Sequence, residues 1–370
     1  MRVSAPDTHA IPWADFLNRP VFTHRPLVCN SLLSGKTVLV TGAGGSIGSV
    51  VAVLLMGALA RRLILLDRSE CGLQTLYKRY KEMNVVFPRV EFIQADILDE
   101  RLIHNTFAKH RPEIIFHAAA LKHLPQLESD PLGALENNVL GTIRVLQIAD
   151  WYEVQHLVNV STDKAVNPTS VLGVSKRISE LLLLAADPAM LCTRSLRLGN
   201  VLESSGSVVP AIVHALKNRG QLTITDPEAS RYFITLDEAA AFLIEALNIK
   251  ETALLVPEMG CPRTLLELVA FLMQELRGDL SDDDIVHVGL RDGEKKSEQL
   301  TYDYECRRKT MVPHLYQIEG TSIGDFDSFA ENVGGMLDLV ADRQCGGLVS
   351  ALQEIVPEFR PSPTLLRCLS

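Results

Sequence analysis

The 370-residue chain has little of what would mark a secreted, membrane-spanning or nucleic-acid-binding protein. Its longest apolar stretch, Val50 to Ala60, is 11 residues, against the ~20 a membrane-spanning helix needs, so it reads as a buried helix. The first thirty residues carry Pro6, Asp7, Pro12, Asp15 and Pro20 and no apolar leader-like segment, so no signal peptide is expected. Cysteine is scarce: seven residues, an odd count, with no CxxC and no Cys/His ligand spacing. That argues against a disulfide framework and against a metal site, and makes a reducing cytoplasm the expected compartment. Basic residues are in deficit, 36 Lys+Arg against 45 Asp+Glu for a net charge of −9, which excludes a general nucleic-acid face. A local basic pocket for a phosphorylated small molecule stays open. No repeat or low-complexity tract is visible.

What is present is a packed chain, 47% hydrophobic and 22% charged, long enough for two domains or one large α/β unit with a lobe. Residues 1–34 are proline-punctuated and without sustained periodicity, and read as an N-terminal extension. From Lys36 strand-like runs alternate with helix-length stretches. The strands are Thr37–Thr41, Arg62–Leu66, Val90–Gln94, Glu113–His117 and His156–Ser161. The helices are Ser46–Ala60, Ser69–Glu82, Asp99–His110 and Pro131–Asp150. This alternation predicts a doubly wound parallel sheet of the Rossmann type with right-handed crossovers. Beyond residue 200 the rhythm loosens: helices are expected at Val208–Asn218, Thr235–Asn248 and Leu265–Leu276, and a strand at Leu222–Thr225. The expected division is a dinucleotide-binding domain over 35–202, with an interleaved part near 233–260. A smaller, irregular substrate lobe takes 203–232 and 261–370.

The first strand runs into Thr41–Gly48 (TGAGGSIG), where Gly42, Gly45 and Gly48 satisfy G-x-x-G-x-x-G. Glycines here allow a tight turn, close approach of backbone to a pyrophosphate and helix-on-strand packing, with the phosphate at a helix N-terminus. Ser46 and Ile47 open that helix. Asp67 ends the second strand, where a carboxylate can accept the ribose hydroxyls of NAD. Arg68 could instead face a 2′-phosphate, but Asp67 would repel it, so NAD is favoured over NADP. Asp96 and Ile97, just past the third strand, are placed to touch adenine; Asp96 otherwise reads as the cap of the helix that follows.

Two further segments follow strand ends, where open α/β sheets bind ligands: His117–His123 (HAAALKH) and Ser161–Lys164 (STDK), the latter continuing to Asn167–Lys176 (NPTSVLGVSK). With Asn138–Thr142, Arg197–Val201, Ser204–Pro210, Arg231–Phe233 and Gly289–Lys295, they resemble the extended short-chain dehydrogenase/reductase superfamily. More narrowly, they resemble the bacterial nucleotide-sugar 4,6-dehydratases of polysaccharide biosynthesis. The resemblance spans roughly 30–300 with a closing segment at Leu352–Ser362. Membrane-anchored relatives carry upstream helices, and this chain resembles the short, soluble form. It departs at one place: the superfamily's Tyr-x-x-x-Lys would put tyrosine at Leu172, four residues before Lys176, and leucine cannot take a proton from a hydroxyl.

The resemblance implies a UDP-sugar substrate, UDP-N-acetylglucosamine foremost, dehydrated with or without inversion at C5. Hydride leaves C4 for bound NAD, C5 is deprotonated, the 6-hydroxyl departs as water, and the hydride returns to C6. It assigns Lys164 as the C5 base, Asp163 as the acid for the leaving hydroxyl and Lys176 to the nicotinamide ribose. It also gives Ala118 and Ala119 to the cofactor, and Lys122, Asn200, Arg231, Arg291 and Glu294 to the substrate. A lysine sits about 3.4 units above pH 7, about 4.6 kcal/mol from its neutral form; burial and a neighbouring cation are expected to supply that shift. Asp163 must shift upward to hold its proton. Thr162, or a water relayed to Lys176, is left to orient the sugar's 4-oxygen, with Ser161 a further hydroxyl; His123 is expected to pack or cap. Two other readings stay open: a UDP-sugar C4-epimerase, and a catalytically silent NAD- or sugar-nucleotide-binding protein. A homo-oligomer is expected.

Overall fold

A computed structural model describes residues 11–23, 31–83, 88–186, 191–218, 220–276, 278, 280 and 284–367. Alternation within the apolar runs builds the central sheet. In β1 (Thr37–Thr41), Val38 and Val40 face one layer of helices while Leu39 faces the other, the two-residue period of a strand covered on both sides. Val38 and Val40 pack with Val51 and Leu55 of the helix Ser46–Met56 and Phe242 of the helix Leu236–Glu245. Leu39 packs with Phe107 of the helix Glu100–His110 and Val145 and Ile148 of the helix Gly141–Trp151.

The other strands of this sheet are β2 (Arg62–Asp67), β3 (Arg89–Gln94), β4 (Ile114–His117), β5 (His156–Thr162), β6 (Cys192–Leu198), β7 (Ala253–Pro257), β8 (Cys306–Lys309) and β9 (Leu315–Glu319). Their spatial order is β8-β9-β7-β6-β5-β4-β1-β2-β3. β3 through β7 run parallel, and β9 and β8 close the edge antiparallel. The fold is the doubly wound α/β type that the alternation predicts, and order reverses at β1/β4, where such sheets bind ligands.

The sheet is wider than the sequence suggests. β6 is interrupted by Arg194 and Arg197, both buried, so it carries no clean apolar run. β8 and β9 bring residues 306–319 back to the main sheet, and the helices Phe326–Ala341 and Leu348–Ile355 pack on Val171–Leu184 beside the central strands. The structure therefore departs from the expected boundaries: much of 261–370 belongs to the dinucleotide-binding side rather than to the substrate lobe. Part of the expected extension is integral too. Trp13, Phe16 and Leu17 enter the lobe core with Val209, Ile212 and Leu268, and Arg19 pairs with Glu238. The expected helix Pro131–Asp150 is Pro131–Leu135 and Gly141–Trp151 joined by a π-helical turn at Glu136–Leu140. No helix of the described residues is long and apolar enough to cross a membrane.

Candidate functional site

The carboxyl ends of β1, β4, β5 and β6 open onto one cavity of about 960 Å³. Its floor is the glycine loop, and its far wall comes from the lobe. Every residue expected for cofactor or substrate lines this cavity, as do Thr162, Lys164, Lys176 and Leu172. Asp163 is not on its wall: it is wholly buried behind Thr162 and Lys164.

The glycine loop shows what each glycine is for. Gly42 has φ of +69°, and a Cβ there would lie 2.6 Å from Ala118 and Ala119 backbone atoms. A Cβ on Gly48 would lie 2.1 Å from the Gly42 carbonyl, so that glycine is demanded by helix-on-strand packing. Gly45 is the N-cap of Ser46–Met56 and offers no side-chain cap, leaving amide donors at a positive helix end for an anion. Asp67 is held in place, its Oδ2 accepting from the Gly44 amide at 2.8 Å and its Oδ1 from Ser69 at 2.7 Å. Gly72, which the motif does not flag, lets its helix touch the loop: a Cβ there would lie 2.9 Å from Gly44. An uncapped helix end, missing β-carbons and a fixed carboxylate at the next strand end form a cradle that fits a dinucleotide.

Arg68 lies 3.6 Å from Asp96 and donates to Asn137 at 3.3 Å. Asp96 accepts from Leu98 at 3.0 Å, but the helix begins at Glu100 and its cap is Asp99, which accepts from Leu102. The cap reading of Asp96 is thereby corrected: two aspartates three apart compete, and the one adjoining the first helical residue wins. Asn138, on the π-helical turn, accepts from the Leu121 amide at 2.8 Å and donates to its carbonyl at 3.0 Å, which fixes the His117–His123 loop. His117 itself bridges Thr41 at 2.8 Å and Thr142 at 3.2 Å, and burial, with Lys176 nearby, lowers its pKa to about 3, so it stays neutral.

At the end of β5, Lys164 Nζ donates to Asp163 Oδ1 at 3.0 Å and to Asn200 Oδ1 at 2.9 Å, and lies 3.6 Å from Glu298 Oε1. Thr162 Oγ1 donates to Asp163 Oδ1 at 3.1 Å, while Asp163 Oδ2 is buried with no hydrogen-bond partner. Burial pushes the Asp163 carboxyl up, Lys164 opposing and Glu298 adding to the rise. Burial alone would lower the Lys164 ammonium, but Asp163 and Glu298 outweigh it and hold the group above its ordinary range. The expected fall of Lys164 toward neutrality is therefore absent, because two carboxylates face it where the sequence reading supplied one.

The amine that does fall is Lys176. Its Nζ donates to the Val160 carbonyl at 2.8 Å, and burial lowers it to about 8 against the pull of Glu180. Ser161, though at the cavity rim, donates its hydroxyl to Glu180 at 2.6 Å. Glu180 and Glu305 sandwich Arg197, and Arg177 stacks 4.6 Å from the Tyr302 ring centre. This buried network was not anticipated; its one trace in the sequence is the i,i+3 pair Arg177–Glu180. Leu172 is buried and packs with Leu132, Leu135 and Phe329's cluster as an apolar wall of the cavity.

On the lobe side, Lys122 donates to the Ser205 carbonyl at 2.7 Å, tying its loop to the serine-glycine loop, and burial lowers its pKa. Ser46 accepts from the Ser205 amide at 2.8 Å and ties that loop to the glycine loop. Arg231 is buried and donates to the Ser230 and Lys296 carbonyls. Arg291 is exposed, and its amide donates to Glu294 at 3.2 Å. His123 is the N-cap residue of the helix Leu124–Ser129 but makes no side-chain cap bond; its ring packs against Gly206, where a Cβ would lie 2.4 Å away.

A doubly wound sheet with this glycine loop, and a lobe closing over the strand ends, defines an extended short-chain dehydrogenase/reductase. The chain belongs to the family described as polysaccharide biosynthesis protein, which matches residues 38–320. It is 35% identical over 311 residues to the capsular polysaccharide biosynthesis protein CapD of Staphylococcus aureus, covering 82% of this chain and 51% of that protein. The chain thus spans about half the length of that relative. It is 30% identical over 295 residues to the UDP-glucose 4-epimerase of Rickettsia rickettsii, covering 76% of this chain and 82% of the epimerase. Among solved structures it resembles Pen from Bacillus thuringiensis, with a TM-score of 0.69 at 26% identity, covering 79% of this chain and 90% of that one.

Proposed function

We propose that the chain is an NAD-dependent UDP-N-acetylglucosamine 4,6-dehydratase acting in the cytoplasm in bacterial polysaccharide biosynthesis, and a homo-oligomer. The observation that carries the reading is the hydrogen-bonded pair Asp163–Lys164 at the end of β5, with Lys164 on the cavity wall. Oxidation at C4 needs a hydride acceptor and a base for the 4-hydroxyl proton, a part left to Lys176 through a water or Thr162, whereas loss of the 6-hydroxyl needs in addition a base at C5 and an acid at O6 side by side.

The cradle of Gly42, Gly45, Ser46, Ile47, Gly48 and Asp67 suits the pyrophosphate and ribose of NAD, Asp96, Ile97, Ala118 and Ala119 its flanks, and Lys176 its second ribose. When bound there, NAD supplies a reversible hydride acceptor. The proton steps fall to the chain's own residues. Passing one proton from Lys164 to Asp163 across their 3.0 Å bond leaves an amine and an acid together, the amine to take the C5 proton and the acid to serve the leaving hydroxyl. Because Asp163 is walled off, its proton reaches O6 through Thr162, which lines the cavity 3.1 Å from Asp163 Oδ1: the protonated carboxyl donates to Oγ1 as Oγ1 passes its own hydrogen to O6. Lys122, Asn200, Arg231, Arg291 and Glu294 hold the nucleotide sugar, the arginines and Lys122 facing its diphosphate.

A UDP-sugar 4-epimerase is the second reading, favoured by the likeness to the Rickettsia epimerase over most of both chains. Incubation with UDP-N-acetylglucosamine separates the two. Product lighter by one water supports the dehydratase, an isomer of equal mass supports the epimerase, and no conversion with retained ligand binding leaves a silent binding protein.

A further inference from the structure

Lys164 does not serve Asp163 alone. Its Nζ bridges Asp163 Oδ1 at 3.0 Å and Glu298 Oε1 at 3.6 Å, and the other oxygen of Glu298 lies 2.6 Å from Lys295 Nζ. Glu298 comes from a remote loop, 134 positions along the chain, yet its side chain is only 2% exposed. Lys295 is anchored in turn to the Val166 carbonyl at 2.9 Å, three residues beyond Asp163. A buried carboxylate is expensive unless paired, so a second one placed against a single amine calls for a role.

We propose that Glu298 is a positioning residue for the Asp163–Lys164 pair: a fixed negative charge, anchored by Lys295, that keeps one proton on that pair across the working pH. This rests on the dehydratase reading and deepens it. The reaction requires an occupancy of one. With no proton on the pair there is no acid for the leaving oxygen, and with two there is no base for C5. In the dehydration step Lys164 gains the C5 proton as Asp163 gives one up through Thr162 to O6, so occupancy stays at one and the lost hydroxyl leaves as water. The charged groups facing the pair are Glu298, Arg231 and, through Glu298, Lys295. Tyr302 spends its hydroxyl on the Ala165 carbonyl at 2.8 Å. Of the charges that face the pair from outside, Glu298 is the one negative group among the described residues. Its removal therefore releases protons from both members.

The test uses the intact protein. Glu298→Gln should move both limbs of the pH–rate profile for dehydration to lower pH by about one to three units, the worth of a unit charge at this distance in a partly screened site. Glu298→Asp, which keeps the charge, should restore the limbs. Glu298→Gln combined with Lys295→Met removes the ion pair as a unit and covers the case in which an unpaired Lys295 disrupts folding. Independently of turnover, the Lys164 Nζ resonance in ¹⁵N-lysine NMR, assigned through Lys164→Arg, should stay that of an ammonium to higher pH than an ordinary lysine in the native protein. In both charge-removing variants it should titrate at least about one unit earlier. A rate loss with unmoved limbs and an unmoved resonance overturns the proposal. If the native protein dehydrates no nucleotide sugar, the dehydratase reading falls, and the NMR titration alone still decides whether Glu298 holds the proton.

Discussion

Thr162→Val is the sharpest perturbation of the proposed site, because valine keeps the shape and deletes one hydroxyl. That hydroxyl donates to Asp163 Oδ1 at 3.1 Å and accepts from the Lys164 amide at 3.4 Å. Asp163 already has one oxygen without a partner, so after the change Lys164 is its one remaining partner among the described residues. A hydrogen bond to a charged group contributes about 1.5–3 kcal/mol, which sets the expected loss of stability. The chemical loss is larger: general acid help is worth about 10²–10⁴-fold, or about 2.7–5.5 kcal/mol. Three readouts on folded protein divide the roles. Single-turnover NADH formation reports hydride removal at C4. Solvent-deuterium entry at C5 reports Lys164, and water loss by mass reports the path from Asp163 to O6. Relay through Thr162 to O6 predicts near-normal NADH formation, retained C5 exchange and a collapse in water loss. Orientation of the 4-oxygen by Thr162 predicts instead that NADH formation itself slows by the same factor. Water loss and NADH formation both at the native rate would refute both roles and leave a water relayed to Lys176.

Leu172→Met should be nearly silent, costing less than about 1.5 kcal/mol in stability and little in rate, since Leu172 is 7% exposed and serves as wall; a large fall in NADH formation would contradict this. Lys176→Met should flatten the pH dependence of urea unfolding of the ligand-free protein. The native pKa near 8 lies below the ordinary 10.5, so between those values the unfolded chain binds more protons and stability rises with pH, by about 3 kcal/mol in all. The variant should lack that rise and be more stable than the native chain near pH 7, and an unchanged slope would count against the buried amine. Arg197→Met leaves the buried Glu180 and Glu305 with Arg177, at 3.1 and 3.6 Å, as the one arginine between them and should destabilise by about 3–5 kcal/mol, read as a lowered denaturant midpoint; a midpoint within error of the native one would show the network to be dispensable.

By itself the sequence determined the parts whose cause is local. Apolar alternation at β1, β2, β4 and β5 is written in consecutive residues, and so is the glycine loop, since the β-carbon missing at 48 would strike the Gly42 carbonyl six residues back; the Ala118–Ala119 backbone that crowds Gly42 comes from far along the chain. The residues of the cavity wall were legible because strand ends of a parallel sheet converge, so motifs far apart in sequence share one rim. The tertiary structure decided whatever depends on partners far along the chain. β6 hides behind Arg194 and Arg197, whose charges are acceptable in a strand only because the Ile249 carbonyl, Glu180 and Glu305 meet them. β8 and β9, and the helices after them, find their places by covering a sheet edge and a helix that no local pattern announces. The state of Lys164 was decided the same way: adjacency to Asp163 is visible in the sequence, but the second carboxylate arrives from 134 residues away. Electrostatic energy depends on distance in space and on burial, and neither is written in spacing along the chain.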